Sequence, residues 1–532
     1  MSEQQKTARS LSKIAGIVAV ATLISKVFGL VRQQAIAAAF GVGAVVDAYS
    51  YAYVIPGFLL ILLGGINGPF HSAIVSVIAK RDKSEAAPIV ETITSLVGAV
   101  LLLVTVILIV FAGVFIDILG PGLSQEVRAN AILQLQIMAP MAVLAGVIGI
   151  GFGTLNAADM YWLPSVSPLF SSITLIGGLA ILALQLGNQI GLPKYALLGG
   201  MVLAWGTLAG AILQWLVQLA AQWRAGMGKL RLRFNWKLPG VKEVLRVMGP
   251  ATLSSGMLQI NVATDLFFAS PIQGAAAAMG YAGLLIQTPL GIISNVILVP
   301  LLPVFSRLAD PEDWPELKAR IRQGLLLTAL TMLPLGALMI ALAIPIVQVV
   351  YQRGAFQSQA SQLVASLLVA YSIGMFVYLA RDVLVRVFYA LGDGDTPFRI
   401  SIFNIFLNAL LDYLLVQRFG APGLVLATVG VNLSSTIALL WLLNRKLRGL
   451  PLREWSLPIL GLTGASIVAG LVTWGVSWGF QRIWSTQALL LQLLQLSLAG
   501  LVGLGIFALL STRMNLPEVD IFVARLRQKF IR

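Results

Sequence analysis

Lys26 and Arg32 stand three residues to either side of Gly29 in the stretch SKVFGLVRQQAIAAAFG, residues 25–41. On a helix, where each residue turns the chain by about 100°, the two cations project about 60° to either side of the glycine. Backbone can be approached closely at a glycine. Two cations beside such an open strip suit a bulky anion such as a phosphate or diphosphate, which Arg grips with a planar fork while Lys acts as a point charge. The preceding run IAGIVAVATLI is uncharged, and a cation at the centre of a bilayer helix costs roughly 2.5–3.5 kcal/mol. The alternative is that Arg32 snorkels to the outer interface and Lys26 pairs with Asp47 in the next helix, at a desolvation cost. Asp47 can also be read as a charge favoured by the dipole at a helix start.

A second set of residues reads as hard oxygen ligands. NVATD places Asn261 and Asp265 at i, i+4, and NALLD does the same for Asn408 and Asp412, with Asn404 one turn earlier. Each pair shares one helix face, and Thr428 in GLVLATVG adds a hydroxyl. Carboxylate and amide oxygens suit Na⁺ or another small cation, and a carboxylate within a membrane helix is a functional candidate. The alternative is hydrogen bonding between helices. Pro56 and Gly57, then Gly64, Gly65 and Gly68, are candidate hinge points in the second helix. His71 is the one histidine and reads as a packing residue. With no cysteine, no second histidine and no Walker pattern, neither zinc chemistry, a Ser/His/Asp set nor ATP hydrolysis is supported, and no enzyme is expected.

The elements that must position these residues are membrane helices. The chain has 532 residues, 58% hydrophobic and 11% charged, with a mean hydropathy of +0.90; soluble domains average about 25% charged. Apolar stretches of spanning length occupy 12–38, 44–79, 87–119, 127–155, 161–186, 193–223, 241–271, 275–306, 321–351, 358–391, 396–417, 421–444, 456–481 and 486–511. The first reads as an uncleaved span rather than a signal peptide. The fold expected is an all-α polytopic membrane protein of about fourteen transmembrane helices. Of the 36 Lys and Arg residues, 29 fall at the N-terminus, in alternate loops and in the tail. Arg128, Lys194, Arg353, Arg418 and Arg482 fall on the other side. By the positive-inside rule both termini are cytoplasmic. The net charge of +15 is therefore a topology signal, helped by anionic lipid, and not a nucleic-acid footprint.

The halves are weakly alike. ATLIS at 21–25 and ATLSS at 251–255 each precede a Gly/Ala-rich turn, a Tyr-Ala pair and a proline. A parallel repeat of six helices places a substrate site at the interface of the halves. The expected organisation is an N-terminal lobe at 1–224, a basic cytoplasmic linker at 225–240 and a C-terminal lobe at 241–446. Two added helices follow at 447–512, then a cytoplasmic tail at 513–532.

SKVFGLVRQQAIAAAFGVGAVVDAY, GTLNAADMYWLPSVSP at 153–168, VVYQRGAF at 349–356 and RVFYALGDGDTPFRIS at 386–401 resemble the MurJ/MviN lipid II flippases of the MOP exporter superfamily. The likeness covers nearly the whole chain. It implies fourteen helices in two six-helix lobes, with a lipid-binding groove associated with the final pair. The implied activity is movement of an undecaprenyl-diphosphate-linked peptidoglycan precursor from the inner to the outer leaflet by alternating access. It also implies a bacterial inner-membrane location, a monomer, and other cell-wall synthesis proteins as candidate partners. Family cations match Lys26 and Arg32, the family aspartate matches Asp47, and the RGAF arginine matches Arg353. A family sodium site resembles Asp265, Asn408, Asp412 and Thr428 with a backbone oxygen near Leu424, so Na⁺ or H⁺ is the candidate coupling ion and no other cofactor is implied. The resemblance departs at Gln33, Leu60, Ile61, Gly65 and Leu284, where the family usually carries charge, so a less cationic cavity is expected. The rival readings are a flippase for another polyprenyl-diphosphate-linked saccharide, a cation-coupled antiporter, and a non-transporting cell-wall scaffold.

Overall fold

The computed structural model describes residues 3–64, 69–256, 260–484 and 488–516. It divides into two compact units, Met1–Ala277 with Arg353–Phe356, and Ala278–Gln352 with Gln357–Arg532. The first holds α1 (Glu3–Phe40), α2 (Ala44–Gly64), α3 (Pro69–Ile78), α4 (Lys83–Val110), α5 (Ala112–Leu119), α6 (Gln125–Met138), α7 (Met141–Ala157), α8 (Trp162–Val166), α9 (Leu169–Leu186), α10 (Ala196–Ala225), α11 (Pro239–Gly256) and α12 (Ile260–Ala269). Next come α13 (Ala275–Arg307), whose first turn belongs to the first unit, α14 (Trp314–Ala341), α15 (Ala343–Tyr351), α16 (Ser358–Ala390), α17 (Asp395–Phe419), α18 (Ala421–Lys446), α19 (Leu452–Ile483) and α20 (Leu489–Thr512). Each stretch expected to span is occupied by one helix or by two in succession. Among the described residues ten helices are long and apolar enough to cross a membrane, or up to twelve if each bent pair is one span. The chain is a multi-pass membrane protein.

Lipid is as apolar as leucine, so helices in a bilayer associate through close packing and hydrogen bonds rather than through exclusion of water. In the first unit α7 carries this role through its glycines. A side chain at Gly146 would meet Val97 and Leu101 of α4, and one at Gly149 would meet the Leu63 carbonyl of α2. One at Gly151 would meet Gln218 of α10, and one at Gly153 Ile74 and the His71 carbonyl of α3. α2 and α3 thus approach α7 more closely than a β-carbon permits, and side chains of α4 and α10 fill the space at the other two glycines. Tyr51, Ile116, Met138, Met141, Ile148 and Phe152 fill the core beside it. α6 and α7 meet at 42° across Pro140, which lacks the N–H a continuous helix needs.

In the second unit α16 carries the core, with Leu367, Leu368, Met375, Leu379, Val383 and Val387 buried. It bends by 41° at Gly374, between Ile373 and Met375. α19 is seated on α14 where Gly470 approaches the Ala337 carbonyl. α20 is tied to α19 by Gln495 Nε2, which donates to Ser477 Oγ at 2.7 Å. Phe403, Phe406 and Leu410 of α17 and Leu490 and Leu501 of α20 point outward. Such apolar surface is a liability in water and is what a bilayer requires.

Candidate functional site

α1 carries the two cations. Lys26 is exposed and Arg32 half-buried. A β-carbon at Gly29 would meet nothing within 4 Å, so no neighbouring protein demands the glycine and the strip between the cations is open. Within the unit, no described carboxylate pairs with Lys26 or Arg32. The Arg32 Nε–H is buried without an acceptor, and Tyr49 and Tyr53 stand one turn apart on α2. Those rings are stacked with centroids 5.5 Å apart, and Tyr49 Oη lies 2.9 Å from Thr207 Oγ1. The tyrosines were not singled out in the sequence, although DAYSYAY carries their i, i+4 spacing in plain sight.

Asp47 does not pair with Lys26. It is buried on α2, and its two oxygens accept the backbone N–H groups of Gly274 and, at 2.9 Å, Ala277. This carboxylate therefore caps the turn opening α13, satisfying donors that a helix start leaves open. Tyr51, one turn along, donates to the Leu266 carbonyl at 2.7 Å.

Arg353 lies in a loop laid against the end of α1. Ala355 N–H donates to the Ala38 carbonyl at 2.8 Å. Gly354 and Gly41 take left-handed backbone angles, φ of 57° and 62°, where the loop and α1 meet. At 1.5 Å rise per residue the Ala38 contact is about 9 Å along the helix from Arg32 and about 18 Å from Lys26. The loop is thus near Arg32 and remote from Lys26.

Of the hinge candidates, Pro56 is buried within α2 and Gly57 faces the Tyr53 ring. Gly64 is the last residue of α2 and approaches the Ala145 carbonyl of α7. Gly65 lies outside the described residues. His71 is held through Nε2, 2.8 Å from Asn156 Nδ2, while its Nδ1 is buried without a partner.

The oxygen-rich set divides between the units. Asp265 is half-buried on α12 in the first. In the second, α17 and α18 carry the rest. Asp412 and Asn408 are buried, and Asn408 Nδ2 donates to Asp412 Oδ2 at 2.8 Å. Asn404 Nδ2 donates to Ser435 Oγ at 2.6 Å. Thr428 Oγ1 donates to the carbonyl of buried Leu424 at 3.3 Å. One carboxylate, one amide, one hydroxyl and one backbone carbonyl are hard donors of low total charge, and they fit a monovalent cation better than a divalent one. Among the described residues no group of three or more His, Cys, Asp or Glu could hold a metal ion.

The profile of the family described as lipid II flippase MurJ matches residues 36–495. A probable lipid II flippase MurJ from Synechocystis is 62% identical over 532 residues, all of both chains. A lipid II flippase MurJ from Burkholderia cenocepacia is 30% identical, covering 88% of this chain and 89% of its own. A solved lipid II flippase MurJ in an inward closed conformation superposes with a TM-score of 0.74 at 22% identity, covering 93% of this chain and 98% of that one. An inward-facing multidrug resistance transporter of the MATE family, within the MOP superfamily, superposes with a TM-score of 0.59 at 17% identity, covering 82% and 99%. The two structural likenesses speak to the fold.

Proposed function

The chain belongs to the lipid II flippase MurJ family, and on that premise we propose that it moves lipid II from the inner to the outer leaflet of a bacterial inner membrane. The family is one of transporters, not enzymes. The basic loops and both termini face the cytoplasm, by the distribution of Lys and Arg. The lipid-linked diphosphate is held by Lys26 and Arg32, with Gly29 giving it access to the helix and Tyr49 and Tyr53 bordering the arginine. The observation that carries this reading is the buried Arg32 Nε–H without an acceptor. A guanidinium donor left open in a low-dielectric setting is costly, and a phosphate oxygen is the acceptor whose geometry it matches. Asp47 acts as a positioning residue by capping the Gly274 turn, and Arg353 meets the headgroup at the far end of α1. Pro56, Gly57 and Gly64 give α2 its points of bending. The headgroup cannot cross unaided, because taking its charges out of water costs several kcal/mol per ion.

Asp412, Asn408, Thr428 and the Leu424 carbonyl, all of the second unit, would hold Na⁺ as the coupling ion. Those residues fit it by chemistry, and its movement down its electrochemical gradient would supply the energy that resets the transporter. The protein acts as a monomer beside other cell-wall synthesis proteins. The test is replacement in a bacterium depleted of its own flippase. Expression of this chain restores access of an external degrading enzyme to outer-leaflet lipid II. A well-inserted protein that restores none carries a different lipid-linked glycan.

A further inference from the structure

We propose that Lys229–Lys237 is an interfacial strap that lies in the headgroup layer of the membrane and binds anionic phospholipid. The segment reads KLRLRFNWK, apolar residues alternating with cations. It begins four residues after α10, a spanning helix that ends at Ala225, and ends two residues before α11 starts at Pro239. A chain so tethered cannot leave the membrane boundary, so lipid is the surface it meets.

The strap is held, not loose. Gly226 and Gly228 adopt φ of 72° and 116° and reverse the chain onto α4. A β-carbon at Gly228 would lie 3.4 Å from the Ala87 carbonyl. There Glu91, buried on α4, accepts the Lys229 N–H at 3.0 Å and pairs with Arg233 Nε at 2.9 Å. Ser95 Oγ accepts the Arg233 N–H at 3.0 Å and donates to the Glu91 carbonyl of its own helix at 2.8 Å. Between Arg231 and Asn235 there is neither helix nor turn, and in Arg231, Leu232, Arg233 and Phe234 cation and apolar residue alternate along the sequence. Leu230, Leu232, Phe234 and Trp236 are 65%, 84%, 53% and 66% exposed.

Four large apolar side chains in a row belong in an apolar layer rather than in water, and indoles favour the headgroup level. Trp223, at the end of α10, is exposed at the same boundary with Lys229 Nζ 5.7 Å from its ring. The cations between the apolar residues match phosphate, and Glu91 balances Arg233 alone. Basic and apolar residues together, held at a membrane edge, are what anionic lipid recognises. That this edge is the cytoplasmic one rests on the orientation proposed above; the lipid contact does not.

The chain has no cysteine, so a single introduced one carries a nitroxide without background. Full-length protein with Arg231→Cys, Leu232→Cys, Phe234→Cys or Asn235→Cys is placed in nanodiscs of phosphatidylcholine with or without phosphatidylglycerol. Collision with oxygen reports lipid, and collision with a water-soluble nickel chelate reports solvent. The proposal expects labels at 232 and 234 to meet oxygen, labels at 231 and 235 to meet nickel, and the contrast to fall without phosphatidylglycerol or in high salt. Glu91→Gln should raise label mobility at 232 and 234. Four labels equally open to nickel would overturn the strap. Alternation indifferent to phosphatidylglycerol would overturn its choice of anionic lipid. Nanodiscs expose both faces, so neither outcome depends on orientation or on transport.

Discussion

At the scale of the residue, the proposed site is a pair of cations that no described carboxylate of their unit balances. Arg32→Gln removes one charge-assisted partner of a diphosphate and should weaken lipid II binding roughly ten- to a hundredfold, with the melting temperature in detergent unchanged; native mass spectrometry with added lipid II measures it. Gly29→Leu should block the strip between the cations while leaving the fold intact, because nothing lies within 4 Å of its β-carbon position; near-normal transport by that variant would place the substrate elsewhere. Lys26 and Arg32 stand out as candidates in the sequence because a charge in an apolar helix has few explanations. The work of Asp47 was not legible there, since its partners Gly274 and Ala277 are 227 and 230 residues away. Those partners are backbone N–H groups, which carry no mark in the sequence.

At the scale of the element, the helices follow from runs of apolar residues, and their breaks follow from Pro140, which cannot donate, and from Gly374. What the sequence hid was which helix forms the hub. The glycines of α7 are a spacing any membrane helix can show, and only their neighbours reveal four partners. Gly149→Ala would press a methyl group into the Leu63 carbonyl of α2 and should destabilise the first unit by about 1–3 kcal/mol, read as a lower melting temperature. In the second unit, Asp393 joins the loop after α16 to the end of α18. It accepts from Lys446 Nζ at 2.6 Å and from Thr396 N–H and Oγ1 at 3.0 and 2.9 Å. Burial works to raise its pKa, but the bonds from Lys446 and Thr396 outweigh that and hold it below the ordinary carboxylate value. A depressed pKa contributes stability above the unfolded value of about 3.9, and that contribution is lost as pH falls through the lower folded value. Asp393→Asn should therefore be less stable than the parent at neutral pH, the gap narrowing in acid; a gap that stays constant from neutral pH down through that range would refute the clasp.

At the scale of the whole molecule, the fold class, the multi-pass character and the family were readable from composition, from recurring apolar stretches and from a few motifs. The grouping of Arg353–Phe356 with the first unit was not, because it rests on a backbone bond from Ala355 to Ala38 that any small residues could make. The oxygen set on α17 and α18 is the molecule's candidate for energy input. Na⁺ in place of choline should raise the melting temperature of the parent, and Asp412→Asn should abolish that rise. An equal rise in the variant would remove the ion from these helices.

The most direct test of the diphosphate cradle is translocation of fluorescently labelled lipid II by purified protein in proteoliposomes, comparing the parent with Lys26→Gln and Arg32→Gln. The account predicts that label crosses in the parent and stays on its original leaflet in both variants, which remain folded and inserted. Transport at the parent's rate in both variants would contradict it.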